Sequence, residues 1–202
     1  MMIANRPRRY GKRAFLALMI AVHAAAADTP DPGWRLVVIP AFERPRLHQS
    51  IPGSETAIIA AARPAPLGLF EYATTRGAMR WADDLGAKEG ARWLDAAKID
   101  VRRGSNRVID RVLITSPDPM SSTLALTPEF YRRFEPLLGD GFHVIIPDRN
   151  TIALYPRLAG RIPPAEASAL LQRFLIAGHP VSREVFRATR DGLVADGILS
   201  EE

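Results

Sequence analysis

His143-Val144-Ile145-Ile146-Pro147-Asp148-Arg149-Asn150-Thr151-Ile152-Ala153-Leu154-Tyr155 reads as two strands joined by a tight turn. Both flanks are rich in β-branched and aromatic residues, and the connection Pro147–Asn150 is polar and turn-forming, which together specify a β-hairpin and so an antiparallel sheet. Toward the C-terminus, Pro163-Pro164 opens a helix to about Gly178, with Ala167, Leu170, Leu171, Phe174 and Leu175 on one side. His179-Pro180 ends it. Val185–Ala188 and a turn at Asp191-Gly192 are expected to close the chain as one last strand.

Toward the N-terminus, Thr127-Pro128-Glu129 is a helix start: a hydroxyl to cap the first amides, a proline where no N–H is needed, and an acid at the positive helix end. Phe130, Phe134, Leu137 and Leu138 supply its apolar stripe and Gly139 its stop. Val108–Thr115 has strand character and is ended by Ser116-Pro117-Asp118-Pro119. A helix is expected from about Ala87 to Val101, weakened slightly by Gly90. Before it, Leu67–Ala73 and Ala78–Ala82 read as a second hairpin across Thr74–Gly77. Leu36–Ile39 and Ala57–Ala60 read as strands on either side of an exposed loop, Arg44–Ser54. The expected fold is α+β: one domain, residues 34–202, with a mostly antiparallel sheet covered on one face by about three helices.

Residues 1–27 have the three parts of a cleavable secretory signal: Arg6, Arg8, Arg9, Lys12 and Arg13, then an apolar run Ala14–Val22, then the small residues Ala24–Ala27. Residues 28–33, dense in turn formers, read as a spacer. The apolar run is about half the roughly 20 residues of a membrane span, which favours processing over a retained anchor. Contact with a membrane is expected only through an uncleaved signal. Cleavage removes five of the 27 basic residues and leaves 22 against 22 acidic ones. The charge-balanced remainder argues against nucleic acid as a partner, and the cluster Arg102, Arg103, Arg107 and Arg111 is interleaved with Asp100 and Asp110 as a solvated face would be.

No cofactor or metal site is expected. The chain has no cysteine, and His48, His143 and His179 lack the spacing that places two ligands on one helix face. It also lacks the Gly-x-Ser-x-Gly string of a nucleophile elbow and any glycine pattern for phosphates, and no catalytic residue is assigned. The conspicuous polar cluster beside apolar strands is Asp148, Arg149 and Asn150. Together with His179 these are the candidate ligand-binding residues, against the plainer reading that Asp148 and Asn150 stabilise a turn while Arg149 sits in water.

Three pieces of the C-terminal half resemble a bacterial family named domain of unknown function 1444. They are Leu124–Phe134 (Leu-Ala-Leu-Thr-Pro-Glu-Phe-Tyr-Arg-Arg-Phe), Val144–Ile152, and His179–Phe186 followed by Asp191-Gly192. A fainter echo lies in Leu69–Tyr72 and Trp93–Ala97, so the likeness spans about residues 56–197. The export signal, and Asn150 where an acid is expected, depart from the family pattern. The resemblance implies an α+β domain without an assigned reaction. Export without an assembled reactive constellation leads to the expectation of a non-catalytic binding domain of the periplasm or cell envelope, with a protein or small ligand as partner. The alternative is a small secreted hydrolase built on His143 or His179 with Asp148 or Asp118.

Overall fold

The computed structural model describes residues 33–104, 107–159 and 162–200. The expected signal (1–27) and the spacer up to residue 32 lie outside the described residues. Among the described residues the chain is α+β, with antiparallel sheets and three α-helices.

The strands divide into two sheets where one was expected. In the first, β1 (Arg35–Pro40) pairs with β3 (Ala57–Pro64), from Arg35 opposite Ala62 to Pro40 opposite Ala57. β2 (Gln49–Ser50) and β4 (Phe70–Tyr72) also pair with β3. Ala60, Ala61 and Ala62 are buried, and these small side chains let both faces of β3 be covered closely. Val37, Ile39, Ile58 and Met120 pack on one face, and Leu36, Ala73 and Ala82 on the other. The outer edge of β1 is closed by Ser122, whose hydroxyl accepts from Val38 N at 3.1 Å and donates to Val38 O at 3.3 Å.

The second sheet has the order β10-β9-β7-β8-β6-β5 and is antiparallel throughout. Its strands are β5 (Lys98–Arg103), β6 (Ile109–Thr115), β7 (His143–Asp148), β8 (Thr151–Tyr155), β9 (Glu184–Thr189) and β10 (Gly192–Ile198). The hairpin at 143–155 forms its centre. One face, with Val112, Val144, Ile146, Leu154 and Phe186, joins the main core with Phe130, Phe134 and Phe142. The opposite face, with Ile145, Ala153, Tyr155 and Val185, is covered by α3 (Pro164–Ile176) through Leu170.

α2 (Pro128–Leu138) begins as its cap signature dictates, with Thr127 Oγ1 accepting from Phe130 N at 3.3 Å. Gly139 follows it at φ +85. α1 (Arg76–Ala96) differs most from expectation, because Ala78–Ala82 is helical, not a strand, and no hairpin spans 67–82. Thr75 caps it by accepting from Ala78 N. Its buried stripe is Ala82, Gly86, Gly90 and Leu94, a four-residue ridge in which two members carry no apolar side chain. Gly90 is a packing device: a Cβ there would lie 2.8 Å from Thr127 Cβ. The helix ends at Ala96, so Val101 belongs to β5. Residues 44–54 include β2 and the buried Ile51, and the C-terminus holds two strands where one was read. Among the described residues, no helix is long and apolar enough to cross a membrane.

Candidate functional site

Asp148, Arg149 and Asn150 form the tip of the β7–β8 hairpin, and each is held from a different side. Asp148 accepts from Asn150 N at 2.8 Å across the turn and from Arg173 Nε of α3 at 2.5 Å. Asn150 Nδ2 donates to Ser116 O at 2.8 Å. Arg149 is not in water, as the plainer reading had it: its side chain is 7% exposed. The guanidinium donates to Gly68 O at 3.0 Å and to Glu43 Oε1 at 3.3 Å, and lies 3.7 Å over the Phe70 ring. Tyr72 O–H donates to the other Glu43 oxygen. Burial, then the Glu43 carboxylate, push the Tyr72 phenol well above its ordinary range, so it stays a donor. The tip therefore fastens the second sheet to the first.

His179 reaches the same place. Its Nε2 lies 3.4 Å from where a Cβ on Gly68 would stand, and the ring is exposed. All four candidate residues thus meet at one junction, although the polar atoms of the first three are engaged in holding it.

Around this junction stand exposed apolar side chains. Leu67 and Leu69, 94% and 56% exposed, flank the Gly68 carbonyl taken by Arg149. Phe42, 74% exposed, precedes Glu43, and Ile176, 81% exposed, ends the helix that leads into His179. Leu67 has φ +63 and ψ +24. A left-handed leucine costs about 1–2 kcal/mol, and here that cost is borne by a side chain that packs against almost nothing.

A second polar cluster lies at the N-terminal end of α3. A cavity of about 450 Å³ opens between the start of α3 and the β9–β10 ribbon, lined by His143, Arg157, Ser168, Asp196 and Ser200 over an apolar floor that includes Val185 and Leu199. His143 Nε2 is 3.2 Å from Asp196 Oδ2. The register of β10 slips between Ala195 and Gly197, so Asp196 occupies a bulge, a device that re-aims a side chain. His143 therefore meets an acid, but neither of those expected: Asp148 is taken by Arg173 and Asp118 by Arg35 at 2.5 Å. His48 bonds the Pro45 carbonyl within its own loop.

Two further carboxylates are structural. Glu184, almost wholly buried, accepts from Ser54 Oγ at 2.6 Å, Glu55 N at 2.9 Å and Thr56 N at 3.3 Å. Burial opposes its charge, but these donors outweigh it and hold the carboxyl below the ordinary glutamate range. Glu166, in the first turn of α3, accepts from Arg102, Arg111 and Tyr155. Burial again opposes the charge and the two guanidinium groups prevail, so its pKa is lowered. The basic cluster read as a solvated face thus contributes two arginines to docking α3.

Sequence reasoning missed Asp196, whose one signal was an Asp-Gly pair inside an otherwise apolar run. Among the described residues no group of three or more His, Asp or Glu side chains is placed to hold a metal ion. No family model, curated protein or solved structure matches the chain.

Proposed function

We propose that the chain is an exported, non-catalytic binding domain of the periplasm or cell envelope, and that it engages a protein partner through the apolar ring around Arg149. The observation that carries this reading is the ring itself: Phe42, Leu67, Leu69 and Ile176 are exposed around a junction whose polar groups make it rigid. Apolar side chains carried on a pinned backbone cost less ordering of the loop on docking, and an exposed apolar patch on a folded domain marks an interaction surface. Arg44 and Arg46, exposed next to Phe42, give the ring a basic border, so the partner offers apolar side chains flanked by acids. On this reading the likeness of residues 56–197 to domain of unknown function 1444 is one of shared scaffold.

The test compares partners retained from envelope extract by the wild-type domain and by a Phe42→Asp, Leu67→Asp double variant. A protein held by the wild type and by a Leu158→Asp control, but lost from the double variant, supports the reading. Equal retention by all three, or by none, overturns it. Leu158 is 95% exposed and lies outside the ring, which makes it a matched control.

The 3.2 Å contact between His143 and Asp196 inside a cavity favours a second reading, a small secreted hydrolase with His143 as general base. That reading requires turnover of an ester or amide panel that disappears in His143→Gln while the fold is retained. Absence of turnover by the wild type removes it.

A further inference from the structure

We infer that the cavity between α3 and the β9–β10 ribbon is a binding site for a small organic carboxylate with an apolar body. Its volume, about 450 Å³, falls within the roughly 300–1,000 Å³ typical of small-molecule sites. Its walls divide into two kinds. Ile162, Ala167, Val185 and Leu199 supply an apolar surface, and Arg157 and His143 lie on the polar side.

On the polar side Asp196 pairs with His143, and Arg157 is the lining guanidinium. Arg157 is exposed and has no carboxylate partner among the described residues. Arg187 stands opposite His143 in the β7–β9 register, which puts both side chains on the face that α3 covers. Its Nε is buried without a hydrogen-bond partner among the described residues. A buried donor left unpaired costs about 1–3 kcal/mol, and a guanidinium more, so Arg187, which is not itself a lining residue, is short of an acceptor beside the cavity.

Gly141 brings the two arginines together. A Cβ there would lie 3.2 Å from Arg187 Cδ and 3.6 Å from Arg157 Cδ, and φ is +68, so a side chain at 141 would both strain the backbone and displace the two stems. A carboxylate is the acceptor that matches guanidinium geometry, taking two parallel N–H donors. Asp196 does not fill that role: its Oδ2 pairs with His143, and among the described residues it forms no ion pair with either arginine. The bound head lies on Arg157 and reaches toward Arg187 at its side, and its apolar chain covers the Val185–Leu199 floor.

The site shares no residue with the ring around Arg149, so either proposal stands if the other fails. The experiment titrates the purified protein with octanoate and with octanamide, followed by amide chemical shifts and calorimetry. Octanoate is expected to shift amides at His143, Ser168 and Asp196–Ser200 and to bind at least tenfold more tightly than octanamide. Arg157→Gln and Arg187→Gln, each confirmed as folded by circular dichroism, are expected to weaken octanoate at least tenfold, with Arg183→Gln and the Phe42→Asp, Leu67→Asp variant unchanged. Equal affinity for octanoate and octanamide, shifts confined to other residues, or no saturable binding would each overturn the inference.

Discussion

Replacing Gly90 by alanine should destabilise this domain, although alanine is the better helix former. On intrinsic preference alone the change gains about 1 kcal/mol in a helix interior. The new methyl would lie 2.8 Å from Thr127 Cβ, 3.0 Å from Oγ1 and 3.1 Å from Cγ2. Thr127 has no room to yield, since its buried hydroxyl donates to Leu124 O at 2.9 Å and accepts from Phe130 N as the cap of α2. Forcing a methylene into such a contact costs about 1–3 kcal/mol, and losing the cap about 0.5–2 kcal/mol. Set against the propensity gain, the net loss is about 0.5–4 kcal/mol, or roughly 2–4 °C in Tm for each kcal/mol at this size. Gly86→Ala is the internal control. Its methyl would meet only Thr127 Cγ2, at the ordinary distance of 3.7 Å, so it should be neutral to stabilising by up to about 1 kcal/mol. Urea denaturation of both variants reads the difference. Equal stabilisation by the two alanines would refute the packing account of the ridge.

Arg149→Met leaves Glu43 facing an apolar ring without its cation and should cost about 3–5 kcal/mol by the same assay, whereas Arg92→Met, which breaks an exposed pair with Glu89, should cost under about 1 kcal/mol. Glu184→Gln tests a pH dependence. The folded-state pKa of Glu184 lies below its unfolded value, so the stability it contributes is present above the unfolded pKa and is lost as pH falls through the folded one. The wild type should exceed the variant at pH 7, and the gap should narrow as pH falls below the ordinary glutamate range; a gap that is unchanged or grows on acidification would contradict the assignment. N-terminal sequencing of material recovered from the envelope should begin near Asp28, whereas a start at Met1 would rule out processing.

Features written in local chemistry were legible in the sequence. The hairpin at 143–155, the Thr127-Pro128-Glu129 helix start and the helix at Pro164 rest on turn, cap and periodicity signals within a few residues of each other. α1 was misread because its buried ridge contains Gly86 and Gly90, which give no hydropathic signal. Only the approach of Thr127, 37 positions away in the chain, explains Gly90, and no such close approach explains Gly86. The division into two sheets was hidden for a similar reason, since β1, β3 and β4 obey the same alternation whichever strands they pair with. At the site, the polar tip of the hairpin stood out by composition, but the burial of Arg149 depends on Glu43, 106 positions away. His143 and Asp196, 53 positions apart, share no local pattern at all.

The central functional claim, that the ring around Arg149 holds a protein partner, is tested most directly by a photo-crosslinking residue placed at position 67 in cells that export the chain. The same residue at position 158 is the comparison, since the two leucines are almost equally exposed and only one lies in the ring. A discrete crosslinked species is expected from position 67 and is expected to be absent from position 158. Crosslinks of equal yield from both positions, or none from position 67, would contradict it.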